Sequence, residues 1–315
     1  MSNDFNHYET LYWVFTQLCN DKCGHCYNNS GPHGQRISDE ECLQIIENLP
    51  DKIDKIILSG GEPLAERKQL YLILDTLIEK YGMEQKISIQ TNGDLMTPEI
   101  LDTLLQKGVK SISIASLDRF HKHAGAKLDG LKDLFNSKGL VDIMPYITPG
   151  VKSEPIDPTW ITYSYFGANE EMWLGGNWAR GRAFENDLWM KDPAHNFCAI
   201  QSGAKNFLGG HTDVIQEISI QLWAINPCCP GTKYPMGDAR KDKVVDILNK
   251  MKTSSIFKKL NDGDPYKMGE SIGITEEFAK DRGKDLKNVC RWCDEFFEHY
   301  FSIDTLSPKI AIENN

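Results

Sequence analysis

Three of the nine cysteines fall within eight residues, Cys19-Asn-Asp-Lys-Cys23-Gly-His-Cys26, a C-x3-C-x2-C loop. Three thiolates this close can hold three irons of a four-iron cube that ordinarily takes four cysteines, which leaves one iron open to a chelating ligand. The same spacing also suits a zinc loop, because short C-x-x-C elements commonly mark zinc sites. Five more cysteines, Cys198, Cys228, Cys229, Cys290 and Cys293, come far downstream, and Cys42 occupies a core-facing position on a predicted helix. The N-terminus, MSNDFNHYET, is polar and lacks the basic start and apolar stretch of a secretory signal. A cytoplasmic setting is expected, where so many cysteines point to metal binding or redox chemistry rather than a disulfide framework.

The elements that must position these residues alternate. ETLYWVFTQ at 10–18 is β-branched and aromatic enough for a first strand, and the cysteine loop follows it directly. SDEECLQIIENL has Ser38 as N-cap and apolar residues at helical spacing. KIDKIILSG, KISIQT, VKSISIAS and LVDIMPYIT read as further strands, separated by helices over about 66–81, TPEILDTLLQKG and DGLKDLFNSKG, with a sixth strand within 161–175. Apolar runs alternating with helices imply a parallel sheet covered by helices and wound right-handedly. Past about residue 190 the rhythm stops. EISIQLWAI reads there as a strand, 239–252 as a helix, and a last helical region precedes Cys290.

A second chemical signal, Ser59-Gly60-Gly61-Glu62-Pro63, closes the second predicted strand. Ligands in α/β folds collect beyond the carboxyl ends of strands, where glycines admit close backbone approach and a carboxylate such as Glu62 can accept from an ammonium. With C-x3-C-x2-C after the first strand and GGE after the second, the chain resembles the radical S-adenosylmethionine superfamily over about residues 10–185. That resemblance implies an α/β fold, a partial (β/α)6 barrel with S-adenosylmethionine across the strand ends and a 4Fe-4S cluster on Cys19, Cys23 and Cys26. It also implies cofactor-binding roles for Gly60, Gly61, Glu62, Asn92 in Gln90-Thr91-Asn92-Gly93, and Ser116 and Asp118 as ribose contacts. His25 takes the place of an aromatic near the adenine, with a solvated loop histidine as the plain alternative. Arg182 in Arg180-Gly181-Arg182-Ala183 resembles a GRA element that can meet a carboxylate, with a surface arginine as the alternative.

The downstream cysteines suit a second metal site, a cluster or a zinc, pinning a small domain. Four ligands saturate a cube and five cysteines are present. Successive side chains of an extended segment point to opposite faces, so Cys228 and Cys229 are not expected to serve one cluster. A thiol aimed into the barrel can return a hydrogen atom to a carbon radical, whereas a buried inert thiol is the plain reading. The region resembles the shortened SPASM-type, or twitch, domain. Pro227-Cys228-Cys229-Pro230 resembles the Pro-Cys-Cys segment of the epipeptide epimerase group, which implies Cys198, Cys228, Cys290 and Cys293 as auxiliary cluster ligands and Cys229 as hydrogen donor. The stretch after Cys198 and the Trp- and Gly-rich stretch near 173–182 depart from that group.

Residues 8–190 are therefore expected to form the barrel and 191–315 a twitch/SPASM-like auxiliary domain. A formal charge of −10 and a pI near 5.3 argue against a nucleic-acid partner, and no apolar run is long enough to span a membrane. About ten residues precede the first strand, which argues against an N-terminal peptide-recognition domain. The expected activity is radical S-adenosylmethionine chemistry with two 4Fe-4S clusters, a reductant such as flavodoxin or ferredoxin, and a small peptide or sugar substrate. Epimerisation of a ribosomal peptide or aminoglycoside-type sugar leads, ahead of dehydrogenation and of thioether or carbon-carbon crosslinking. A zinc-stabilised binding module is the non-enzyme alternative.

Overall fold

The computed structural model describes residues 5–115, 120–121, 127–147, 156–167 and 177–309. Chain order is β1 (His7–Thr16), α1 (Asp39–Asn48), β2 (Lys52–Gly60), α2 (Arg67–Tyr81), β3 (Lys86–Thr91), α3 (Pro98–Gln106), β4 (Val109–Ala115), α4 (Leu128–Ser137), β5 (Val141–Asp142), α5 (Met144–Ile147), β6 (Thr162–Phe166) and α6 (Gly181–Glu185). There follow β7 (Glu217–Gln221), β8 (Ala224–Asn226), β9 (Gly237–Asp238), α7 (Val244–Lys252), α8 (Ser255–Asn261), α9 (Glu276–Leu286) and α10 (Val289–His299).

Helix starts follow their capping chemistry. Ser38 accepts from the Glu41 amide while the Glu41 side chain reaches back to the Ser38 amide, satisfying two orphan donors of α1 reciprocally. Thr97 caps α3 with Pro98 directly after it. The helices cover a sheet of order β5-β6-β4-β3-β2-β1-β7-β8-β9, parallel from β5 through β7. On β1, Leu11, Trp13 and Phe15 join the large core beneath the helices, while Tyr12 and Val14 pack on the opposite face. That alternation turns Tyr12 and Val14 to the concave side.

Two expectations are corrected. LVDIMPYIT supplies only the two-residue edge strand β5 before turning into α5, and β6, in the uncertain 161–175 stretch, pairs with β4 instead. EISIQLWAI is not one strand but the hairpin β7–β8, turned at Leu222 with φ of +55°. The helical region expected before Cys290 is α9, and Cys290 and Cys293 themselves ride on the next helix, α10. Finally, β7 pairs in parallel with β1, from Thr10 opposite Glu217 to Val14 opposite Gln221, and one apolar core runs from Phe5 to Ile303. β1 thereby gains a partner for the backbone groups of its second edge.

Candidate active site

The first cysteine loop is tied at its base by the Cys19 amide donating to the Gly31 carbonyl (2.9 Å) and the Gly31 amide to that of Gln17 (3.0 Å). The end of β2 closes on it. The Gly61 and Glu62 amides donate to the carbonyls of Thr16 (2.7 Å) and Leu18 (2.8 Å). A Cβ on Gly61 would lie 2.4 Å from the Leu18 oxygen, so glycine is required there by close approach. From the other side, Arg182 donates through Nε to the Cys23 carbonyl (2.9 Å) and through Nη2 to that of Ser30. Gly181, at φ of +48°, lets that segment pass against the Tyr27 carbonyl, which would sit 2.5 Å from a Cβ. Asn28 Oδ1 accepts from Cys26 Sγ (2.9 Å).

A cavity opens over the carboxyl ends of β1 to β4 and β6. Its walls include Cys19, Cys23, Cys26, His25, Gly60, Gly61, Asn92, Arg182 and Cys229. Burial pushes the Cys19 thiol up to about 12 and raises Cys23 further, so metal binding must displace protons from these sulfurs. His25 stacks on Phe120 with ring centroids 4.7 Å apart. Asn92 donates through Nδ2 to Asn20 Oδ1 (2.9 Å), which ties the end of β3 to the cysteine loop.

Glu62 and Arg182 already have partners within the protein. Glu62 is fully buried and absent from the cavity wall; its carboxylate accepts from the Leu64 amide (2.9 Å), Thr91 Oγ1 (2.7 Å) and the Asn92 amide (2.7 Å). Desolvation raises its affinity for a proton and these three donors oppose that. It thereby joins the ends of β2 and β3. Arg182 donates to the loop carbonyls of Cys23 and Ser30. Ser116 and Asp118 lie outside the described residues.

The second group assembles from three distant segments. Cys198 sits in a short 3-10 turn (Phe197–Ala199), Cys228 follows β8, and Cys290 and Cys293 occupy the start of α10, whose Asn288 caps the Cys290 amide (2.8 Å). Burial raises all four thiols, and their charges act on one another: Cys290 and Cys228 on Cys198, and Cys198 and Cys228 on Cys293. Arg180, missed in the sequence, holds this group. Its Nη1 pairs with Asp294 Oδ2 (2.9 Å), Nη2 donates to the Cys290 carbonyl (3.1 Å), and Nε to that of Gly231 (3.2 Å). The stretch that flagged Arg182 contained it two positions away, but no sequence signal says which arginine faces which cysteine set.

Cys229 points the other way. It is 5% exposed and packs with Tyr12, Val14 and Trp178, with Tyr27 Oη 3.9 Å from its sulfur. Tyr12, Tyr27 and Trp178 were also missed; only the inward alternation of β1 hinted at Tyr12. Among the described residues no group of three His, Cys, Asp or Glu side chains is disposed to hold a single metal ion. A four-iron cube spreads its thiolates over its corners, so the three soft donors around the cavity fit that group.

A parallel α/β sheet thus brings three thiols, a GGE turn and a cavity together at its strand ends. Residues 13–127 match the model described as the Radical SAM superfamily. S-adenosylmethionine and one 4Fe-4S cluster are the cofactors this implies. Over 110 residues it is 35% identical to the AdoMet-dependent heme synthase of Methanosarcina barkeri, covering 33% of this chain and 30% of that one. Over 149 residues it is 28% identical to the radical SAM cyclopropyl synthase TigE of Paramaledivibacter caminithermalis, covering 41% and 32%. The matches span about a third of these relatives' length. A solved structure described as BtrN in complex with AdoMet and 2-DOIA aligns with TM-score 0.49 and 17% identity over 81% of this chain and 88% of that one. These matches reach the superfamily and not the epimerase group within it. No helix among the described residues is long and apolar enough to cross a membrane.

Proposed function

We propose that the chain is a two-cluster radical S-adenosylmethionine epimerase, in which Cys198, Cys228, Cys290 and Cys293 hold an auxiliary 4Fe-4S cluster and Cys229 returns a hydrogen atom to substrate. The observation that carries this reading is the split of the Cys228-Cys229 pair. The Cys229 thiol shares a cavity with Cys19, Cys23 and Cys26, while burial and the Cys290 charge raise the Cys228 thiol. With cluster and cofactor bound, the first site supplies a carbon radical that takes a hydrogen atom from the substrate.

The chain's own residues then have distinct tasks. Arg182, Gly61 and Asn92 hold the cysteine loop over the strand ends. Tyr12 and Trp178 wall the Cys229 sulfur from bulk water. At the substrate carbon, the S–H bond breaks and a C–H bond forms on the face opposite the first abstraction, which inverts the centre and leaves sulfur one hydrogen short. A ribosomal peptide or an aminoglycoside-type sugar is the proposed substrate class, with a flavodoxin or ferredoxin as electron donor.

The test uses oxygen-free holoprotein, expected to carry about eight irons per chain. With S-adenosylmethionine and dithionite in deuterated water, the 5'-deoxyadenosine formed should carry solvent deuterium, because the cavity thiol quenches the radical when substrate is absent. Cys229→Ala should keep both clusters and lose the label. With substrate, a product of unchanged mass in ordinary water and one unit heavier in deuterated water is expected; a product two hydrogens lighter rejects epimerisation in favour of dehydrogenation. Iron loss in Cys229→Ala would mean that the roles of Cys228 and Cys229 are reversed.

A further inference from the structure

A thiol that gives up a hydrogen atom must recover one before it can act again, and the Cys229 sulfur is almost closed to solvent. Two phenols border it. Tyr12 Oη donates to Ser59 Oγ at 2.9 Å, so its hydrogen is already committed. Tyr27 Oη lies 3.9 Å from the sulfur, within hydrogen-bond reach of it, and either atom of the pair can be the donor. The Tyr27 ring is fixed edge-on against Trp178 with centroids 4.8 Å apart, and Gly181 packs on its backbone carbonyl.

We infer that Tyr27 is a further catalytic residue that recharges Cys229 by hydrogen-atom transfer after each donation, an inference that rests on the epimerase reading above. In this step the Tyr27 O–H bond breaks and the Cys229 S–H bond forms. Sulfur is reduced and tyrosine is oxidised, each by one electron, and one hydrogen atom moves between them. The two bonds are of similar strength, so the exchange is close to thermoneutral and runs on geometry. The phenoxyl radical left on Tyr27 is reset by one electron and one proton from a low-potential one-electron donor of the reduced-flavin or iron-sulfur class, which the first site already requires. Tyr27 thereby connects the donor thiol to the segment that bears Cys26, its neighbour in the chain.

The experiment uses oxygen-free holoenzyme with excess S-adenosylmethionine as the probe and a limiting photoreduced flavin in deuterated water. Freeze-quenched wild-type protein should show a phenoxyl signal by paramagnetic resonance that narrows when the protein is made with ring-deuterated tyrosine. Tyr27→Phe keeps the ring against Trp178. It should lose that signal, show a sulfur-centred radical and release no more than about one labelled 5'-deoxyadenosine per chain, against several for the wild type. Repeated labelling by Tyr27→Phe, or no phenoxyl signal in the wild-type protein, would overturn the inference. The isotope narrowing is read on the unmutated protein, so a poorly folded variant cannot hide the answer. Label persisting in Cys229→Ala would instead remove the epimerase reading, whatever Tyr27 does.

Discussion

The two cysteine sites are built in opposite ways. The first is one loop, eight residues from Cys19 to Cys26, partly open to the cavity and clamped by backbone contacts from β2 and α6. The second draws its four thiols from positions up to 95 residues apart in the chain, Cys198 to Cys293, and sinks them beside the buried Arg180–Asp294 pair, whose side chains are 11% and 8% exposed. A local loop can be pre-shaped and still leave a coordination corner for a ligand. A dispersed, buried set can exist only when the surrounding core is folded, so a cluster on the proposed ligands would form together with the fold. Arg180 and Arg182, two residues apart, serve the two designs separately: one anchors the buried set and the other grips the loop.

That contrast can be broken most sharply at the ligands. Cys23→Ala should drop iron by about four per chain and reduce 5'-deoxyadenosine formation to background, whereas Cys290→Ala should lose a similar amount of iron yet keep cofactor cleavage. Iron assay and anaerobic turnover decide it, and loss of cleavage in both would merge the sites into one functional unit.

The next largest effect belongs to Arg180. Arg180→Ala leaves Asp294 buried without its partner, a change expected to cost about 3–5 kcal/mol of stability. Denaturant unfolding of the holoprotein measures it, and Arg180→Lys should fall between, because an ammonium lacks the fork that reaches Asp294 and two carbonyls.

Arg182→Ala should act on the other site, lowering iron retention there by about 10- to 100-fold, as loss of a supporting contact around a metal ligand commonly does. Competition with a chelator, read as the first and second halves of iron release, tests whether the auxiliary iron is spared. Smallest of all, Ser38→Ala removes the α1 capping box at a cost of about 1 kcal/mol and should alter neither iron content nor cleavage. If it moves either, the two sites are coupled through the whole barrel rather than through residues 178–182.

Several of these features could be read without coordinates. Ser38 and Thr97 announce their helices because capping is a contact between residues three apart, and the C-x3-C-x2-C loop and Gly61 carry their meaning in short spacing. The pairing of β7 with β1 could not be read so, since nothing near Glu217 specifies an edge some 200 residues earlier in the chain. Glu62 was legible as part of a motif but not as a buried strap between strand ends, because its partners Thr91 and Asn92 come from the next βα unit. The β7–β8 hairpin escaped for a local reason: Leu222 adopts a positive φ that its side chain gives no reason to expect.

By itself, then, the sequence determined the chemistry in short range: three thiols on one loop, a glycine turn, capped helices in βα alternation, and a pair of adjacent cysteines that must face apart. Only the tertiary structure decided which thiol of that pair faces the cavity, which arginine meets which site, and that two phenols flank the inward sulfur. Spacing along a chain constrains neighbours within a turn or a strand, whereas contacts between distant segments are chosen by sheet pairing and core packing, which no local pattern encodes.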